Sequence, residues 1–114
     1  MTADRELLEL AAKAAGYSEF RIDEAGEARV RKPGGFSAPW NPLEDDGDAL
    51  RLAVKLGLSI IQQRTLRGPE PVAASCGFGG EDFRLTSTDY NGDPFAATRR
   101  AIVRAAAEIG RAMP

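Results

Sequence analysis

Apolar positions recur along this chain first at helical spacing, then at strand spacing, and finally at helical spacing again. Leu7, Leu10, Ala11 and Ala14 form a stripe that predicts a first helix, capped at Thr2 and stopped at Gly16, with Asp4 and Glu6 in its first turn. The run 17–31 alternates instead. Phe20 and Ile22 share a face, Ala28 and Val30 do so later, and Asp23-Glu24-Ala25-Gly26 supplies turn residues between them, so a β-hairpin is expected. Residues 32–39 contain Pro33, Gly34, Gly35 and Pro39, a density of chain breakers that predicts a loop.

A second helix follows Trp40, the only tryptophan. Asn41 and Pro42 make one good start, with Glu44 in the reciprocal capping position; Asp46, with Asp48 near the positive end of the helix dipole, makes another. Either start leads into Ala49, Leu50, Leu52, Ala53, Val54 and Leu56, which are apolar over a wide arc and end at a left-handed cap on Gly57. Residues 58–66 read as a strand through Ile60 and Ile61, residues 67–71 as a turn, and residues 72–76 as a second strand. A third strand carries Phe83 and Leu85 on one face. Such short connections imply an antiparallel meander.

Asp93-Pro94 then opens a last helix to about Ala112. Phe95, Thr98, Ile102, Ala105, Ala106, Ile109 and Met113 run down one side, and Arg100, Arg104 and Arg111 lie opposite. The order of elements predicts an α+β fold with three helices layered on a mostly antiparallel sheet, in a single domain over residues 1–114.

Composition narrows the chemistry. The chain has no histidine, which removes Ser-His-Asp and Cys-His catalysis and histidine-rich zinc sites. One cysteine, Cys76, cannot form an internal disulfide. The charged residues after Met1 leave no apolar core for a signal peptide, and no apolar run is long enough to span a bilayer. A cytoplasmic location is expected, without contact to membrane. A net charge of -2 offers no general attraction to nucleic acid.

The densest carboxylate run, Glu44, Asp45, Asp46 and Asp48, is rich enough in oxygen to hold a hard cation, but its spacing departs from an EF-hand loop and acidic residues also serve helix N-termini. Trp40 with Asp45, Asp46 and Asp48 is the candidate ligand-binding set, against a reading of Trp40 as a core anchor. Carboxylate hydrolysis is the weakest reading, since no acid/base pair is discernible. The segment Cys76-Gly77-Phe78-Gly79-Gly80 lacks the lysine and hydroxyl of a phosphate loop and reads as a turn between strands, with Cys76 as a buried thiol. Arg100, Arg104 and Arg111 are the candidate partner-binding residues, against a solvated face paired with Glu108.

Two segments carry a family resemblance: Trp-Asn-Pro-Leu-Glu-Asp-Asp-Gly-Asp-Ala-Leu at residues 40–50 and Ala-Thr-Arg-Arg-Ala-Ile-Val-Arg-Ala at residues 97–105. Through Trp40, Pro42, Asp46 and Gly47, and through Ala101, Ile102, Arg104 and Ala105, the chain resembles small phage and prophage proteins with the phage ABA sandwich domain. The resemblance implies an α-β-α sandwich in the cytoplasm of a bacterial host, in a family without an assigned activity, and supplies no catalytic residue. The expectation is a non-enzymatic accessory or interaction module without cofactor or bound metal. Its partner would be another protein or a second copy of the chain, and the alternative is a small-ligand or metal-binding module.

Overall fold

The helices meet through their smallest side chains. In the computed structural model, which describes residues 2–64, 71–78, 84–89 and 93–114, helix α1 (Thr2–Ala15) buries Leu8, Ala11, Ala12 and Ala15. The expected stripe is thus displaced by one residue: Leu7, Leu10 and Ala14 are half-buried and flank the buried face. The sequence 7–15 satisfies helical spacing in both registers, and only the partner helix distinguishes them.

That partner is α3 (Pro94–Ala112), which buries Ala97, Ala101, Ile102, Val103, Ala105, Ala106, Ala107 and Gly110. The contacts Asp4 with Arg100, Leu10 with Gly110 and Lys13 with the Met113 carbonyl follow the same order along both helices, so α1 and α3 run parallel. At Gly110 the backbones touch: a Cβ built there would lie 2.0 Å from the Leu10 carbonyl oxygen. Phe95 and Met113, expected on the apolar side of α3, are exposed at its two ends.

The hairpin forms as its residues dictate. Strands β1 (Ser18–Ile22) and β2 (Ala28–Arg31) pair antiparallel, and Asp23 Oδ1 accepts from the amides of Ala25 and Glu27 across the turn. Ala28 and Val30 point into the core. A third strand, β3 (Ser37–Pro39), occupies part of the expected loop and pairs with β2. Pro33, Gly34 and Gly35 compress the connection into a tight turn, closed by Lys32 N–H donating to the Phe36 carbonyl at 2.8 Å, and Pro39 is tolerated because β3 is an edge strand.

Trp40 is buried, its amide donating to the Ala28 carbonyl and its ring meeting Tyr17 edge-on at 5.7 Å. Asn41 and Pro42 do not start a helix. Asn41 closes a single turn, its carbonyl accepting from Glu44 and Asp45 N–H and its side chain from Leu43 N–H. Helix α2 (Asp46–Leu56) begins one turn later with Asp45 as N-cap and ends at Gly57, whose φ of 66° is the left-handed conformation that glycine adopts without strain. Of its apolar arc, Ala49, Leu52 and Ala53 are buried, while Leu50 and Val54 stand 60% and 74% exposed.

Strands β4 (Ser59–Arg64), β5 (Pro71–Phe78) and β6 (Arg84–Asp89) form the expected antiparallel meander in the order β4-β5-β6, packed on α3. Cys76 and Gly77 belong to β5. Of the turn expected at 67–71, Pro71 belongs to β5 and the rest, with Gly79, Gly80 and Phe83, lies outside the described residues. The fold is α+β, and among the described residues three helices and six strands are present, the strands divided between two antiparallel sheets. Among the described residues no helix is long and apolar enough to cross a membrane.

Replacing Gly110 by Ala places a methyl group on the Leu10 backbone, so it should lower stability by about 2 kcal/mol, an overpacking cost exceeding the ~1 kcal/mol of added helix propensity. At Gly47 the added methyl meets only the movable end of Arg51 and a carboxylate oxygen of Asp45, so Gly47→Ala should leave the urea midpoint nearly unchanged.

Candidate functional site

An apolar groove of about 440 Å³ opens between α2, β4 and α3. Its floor includes Ile102 and Ala49, and its rims are Leu50 on α2, Ile60 on β4, and Pro94 and Phe95 at the start of α3. Ile60 lies opposite Cys76 in the β4–β5 register, which aims both at α3. Leu50, Phe95 and Val54, one turn beyond Leu50, are all more than half exposed. That leaves in water side chains whose burial is each worth about 1.5–3 kcal/mol.

Polar contacts fix the groove walls. Thr98 Oγ1 donates to the Pro94 carbonyl at 2.7 Å and accepts from Gln62 Nε2 at 3.1 Å, tying β4 to α3. Arg99 joins α3 to the α2 entry, Nε donating to the Leu43 carbonyl at 2.8 Å and Nη1 pairing with Asp46 at 2.6 Å. Beside the groove, β4 is the edge of its sheet, so its backbone polar groups on the side away from β5 have no strand partner among the described residues.

The candidate ligand set does not converge. Trp40 is enclosed in the core. Asp45 Oδ2 caps α2 by accepting from Asp48 N–H at 2.8 Å, and Asp46 pairs with Arg99. Asp48, 8% exposed, accepts from Asn41 N–H at 2.9 Å and from Arg51 Nη2 at 2.8 Å. The three carboxylates therefore do architectural work, and among the described residues no three metal-ligating side chains form a group.

The arginine set is divided as well. Arg100 forms a two-point pair with Asp4 at 3.0 and 3.3 Å, on the wall of a polar depression of about 660 Å³ that also takes in Arg5, Asn41 and Glu44. Arg111 pairs with Glu108 one turn away, and Arg104 is exposed on the same side of α3. The hydrogen bond from Arg100, aided by its charge, holds the Asp4 carboxyl below the usual carboxylate range. Burial pushes the Cys76 thiol up to about 11, so it stays protonated at neutral pH.

Sequence reasoning missed the groove because an apolar arc holding Leu50 and an apolar helix side holding Phe95 do not say which of their residues stay uncovered. A signal existed in α2, whose apolar arc is wider than one packing face needs. No protein-family model and no curated protein sequence matches the chain.

Removing the Asp48 side chain leaves the Asn41 amide without its partner, so Asp48→Ala should cost about 2 kcal/mol, whereas Asp46→Ala, at a mostly exposed carboxylate, should change the denaturant midpoint by less than about 1 kcal/mol. Asp4 has a folded-state value below its ordinary 3.8, so its pair with Arg100 stabilises the fold above that value and is lost as pH falls through the folded one. Melting curves of wild type and Asp4→Asn should therefore differ at neutral pH and converge in acid.

Proposed function

We propose that the protein is a non-enzymatic, cytoplasmic binding module of phage or prophage lineage that holds an extended apolar segment of a partner protein in the groove along β4. The exposure of Leu50 and Phe95 on either side of that groove is the observation that carries this reading. The lineage rests on the residues around Trp40 and Ile102 alone.

An extended occupant is favoured because β4 offers, along one wall, backbone groups with no strand partner among the described residues, so an added strand gains hydrogen bonds while alternate side chains enter the groove. Charge favours a basic residue at one end. The Asp46 carboxylate is 69% exposed there, Asp45 and Glu44 are its exposed neighbours, and the Arg99 guanidinium is already engaged. The absence of histidine and the engagement of Asp45, Asp46 and Asp48 within the fold support binding over catalysis.

A short synthetic peptide alternating valine with threonine and ending in lysines tests this reading by calorimetric titration. Saturable binding is expected, weakened about tenfold or more by Leu50→Asp or Phe95→Asp with melting points retained. Equal binding to wild type and both variants, or no binding at all, overturns it. So does a concentration-dependent dimer that Phe95→Asp dissolves, because the groove then serves a second copy of the chain.

A further inference from the structure

The open face of the first sheet carries an arrangement that the groove does not explain. Arg21 and Arg29 stand directly opposite each other in the β1–β2 register, and Arg31 lies opposite Ser37 in the β2–β3 register. Arg29 and Arg31 alternate with the buried Ala28 and Val30, which puts them on the face away from the core. Like charges directly opposed across strands are destabilising, and a fold that retains them has a local conflict of the kind found at binding sites.

Two of these arginines have local counter-charges. Arg31 Nε pairs with Glu19, a residue held at φ 55° beside an irregularity in β1, and its Nη1 donates to the Gly35 carbonyl at 2.6 Å. Arg29 Nη1 pairs with Glu27 at 3.1 Å. Arg21 forms no ion pair among the described residues; its Nη2 reaches Ser37 Oγ at 3.5 Å. Arg29 Nε donates to the same oxygen at 3.2 Å, and Arg29 Nη2 donates to the Ser37 carbonyl at 3.2 Å.

One exposed hydroxyl oxygen thus receives guanidinium donors from two strands, and its own proton is left to donate outward. We propose that Arg21, Arg29 and Ser37 form an oxyanion site that binds a phosphate dianion, free or as the monoester of a small molecule. An anion seated over Ser37 accepts from its hydroxyl and from both guanidiniums. These donors come from three side chains around one point, which suits a tetrahedral anion with several oxygens better than a planar carboxylate. Arg21 supplies an uncompensated positive charge, and the hydrogen bonds to Ser37 hold Arg29 in place before the ligand arrives.

Titration of the full chain with inorganic phosphate, followed by the Nε–H resonances of Arg21 and Arg29 and the Ser37 amide, tests the site; sodium chloride at matched ionic strength is the control. Saturable shifts confined to these groups are expected, with a dissociation constant of about 1 mM and a roughly tenfold loss in Arg21→Met and in Ser37→Ala, both at exposed positions. Arg29→Lys should weaken binding while keeping the charge. A parallel titration with phenyl phosphate separates the sources: tighter binding indicates an ester, equal or weaker binding the free ion. Shifts of the same size in chloride, or phosphate shifts that persist in both Arg21→Met and Ser37→Ala, overturn the proposal.

Discussion

The contact between the Leu10 carbonyl and Gly110 sets the distance from which the rest of the helical layer follows. With no Cβ at Gly110 and with Ala11, Ala12, Ala101, Ala105, Ala106 and Ala107 in the buried surfaces of these helices, α1 and α3 lie closer than leucine-faced helices allow. Each alanine buries little area, so the attraction comes from many close contacts between backbones and Cβ atoms, and it falls away steeply with separation. Larger residues here would push α3 off α1, and with it the surfaces that α3 presents to α2 and to the second sheet.

The apolar groove and the polar depression both depend on that placement. Arg99 and Arg100, adjacent in sequence and so about 100° apart around the axis of α3, reach different neighbours: Arg99 the α2 entry and the apolar groove, Arg100 Asp4 and the polar depression. One helix therefore supplies a wall to each. The distribution of apolar side chains follows from the same economy of space. A core rich in alanine, with Leu8, Leu52, Ile102 and one enclosed tryptophan, leaves Leu50, Val54 and Phe95 outside, and Leu50 and Phe95 form part of the rim of the groove. Exposed leucine and phenylalanine beside a strand edge with no strand partner among the described residues suit association with another chain.

The elements whose hydrogen bonds close within a few residues were legible in the sequence. Asp23 binding the amides two and four residues onward, Gly57 in its left-handed cap, and Asp93 capping α3 at Ala96 each depend on neighbours in the chain. The elements that depend on distant partners were not. Three residues at 37–39 become a strand because β2 presents an edge to them, although prolines and glycines surround them. Trp40 was legible as a core anchor from its bulk, but the start of α2 was not, since Asn41 and Asp45 are both competent caps. The burial of Asp48, which accepts from the Asn41 amide, accompanies the later start.

The sequence by itself determined the three helices, the first hairpin and the later meander in their order, the caps at Gly57 and Asp93, and the absence of imidazole chemistry, because these rest on local backbone preferences and on composition. Only the tertiary structure decided which face of α1 is buried, that the strands divide into two sheets, and that Leu50, Ile60 and Phe95 meet across a groove while Arg21 and Arg29 converge on Ser37. A helical stripe or an alternating strand states which residues share a face. What that face meets depends on pairings between residues far apart in the chain, as where α3 seats against α1 at Gly110.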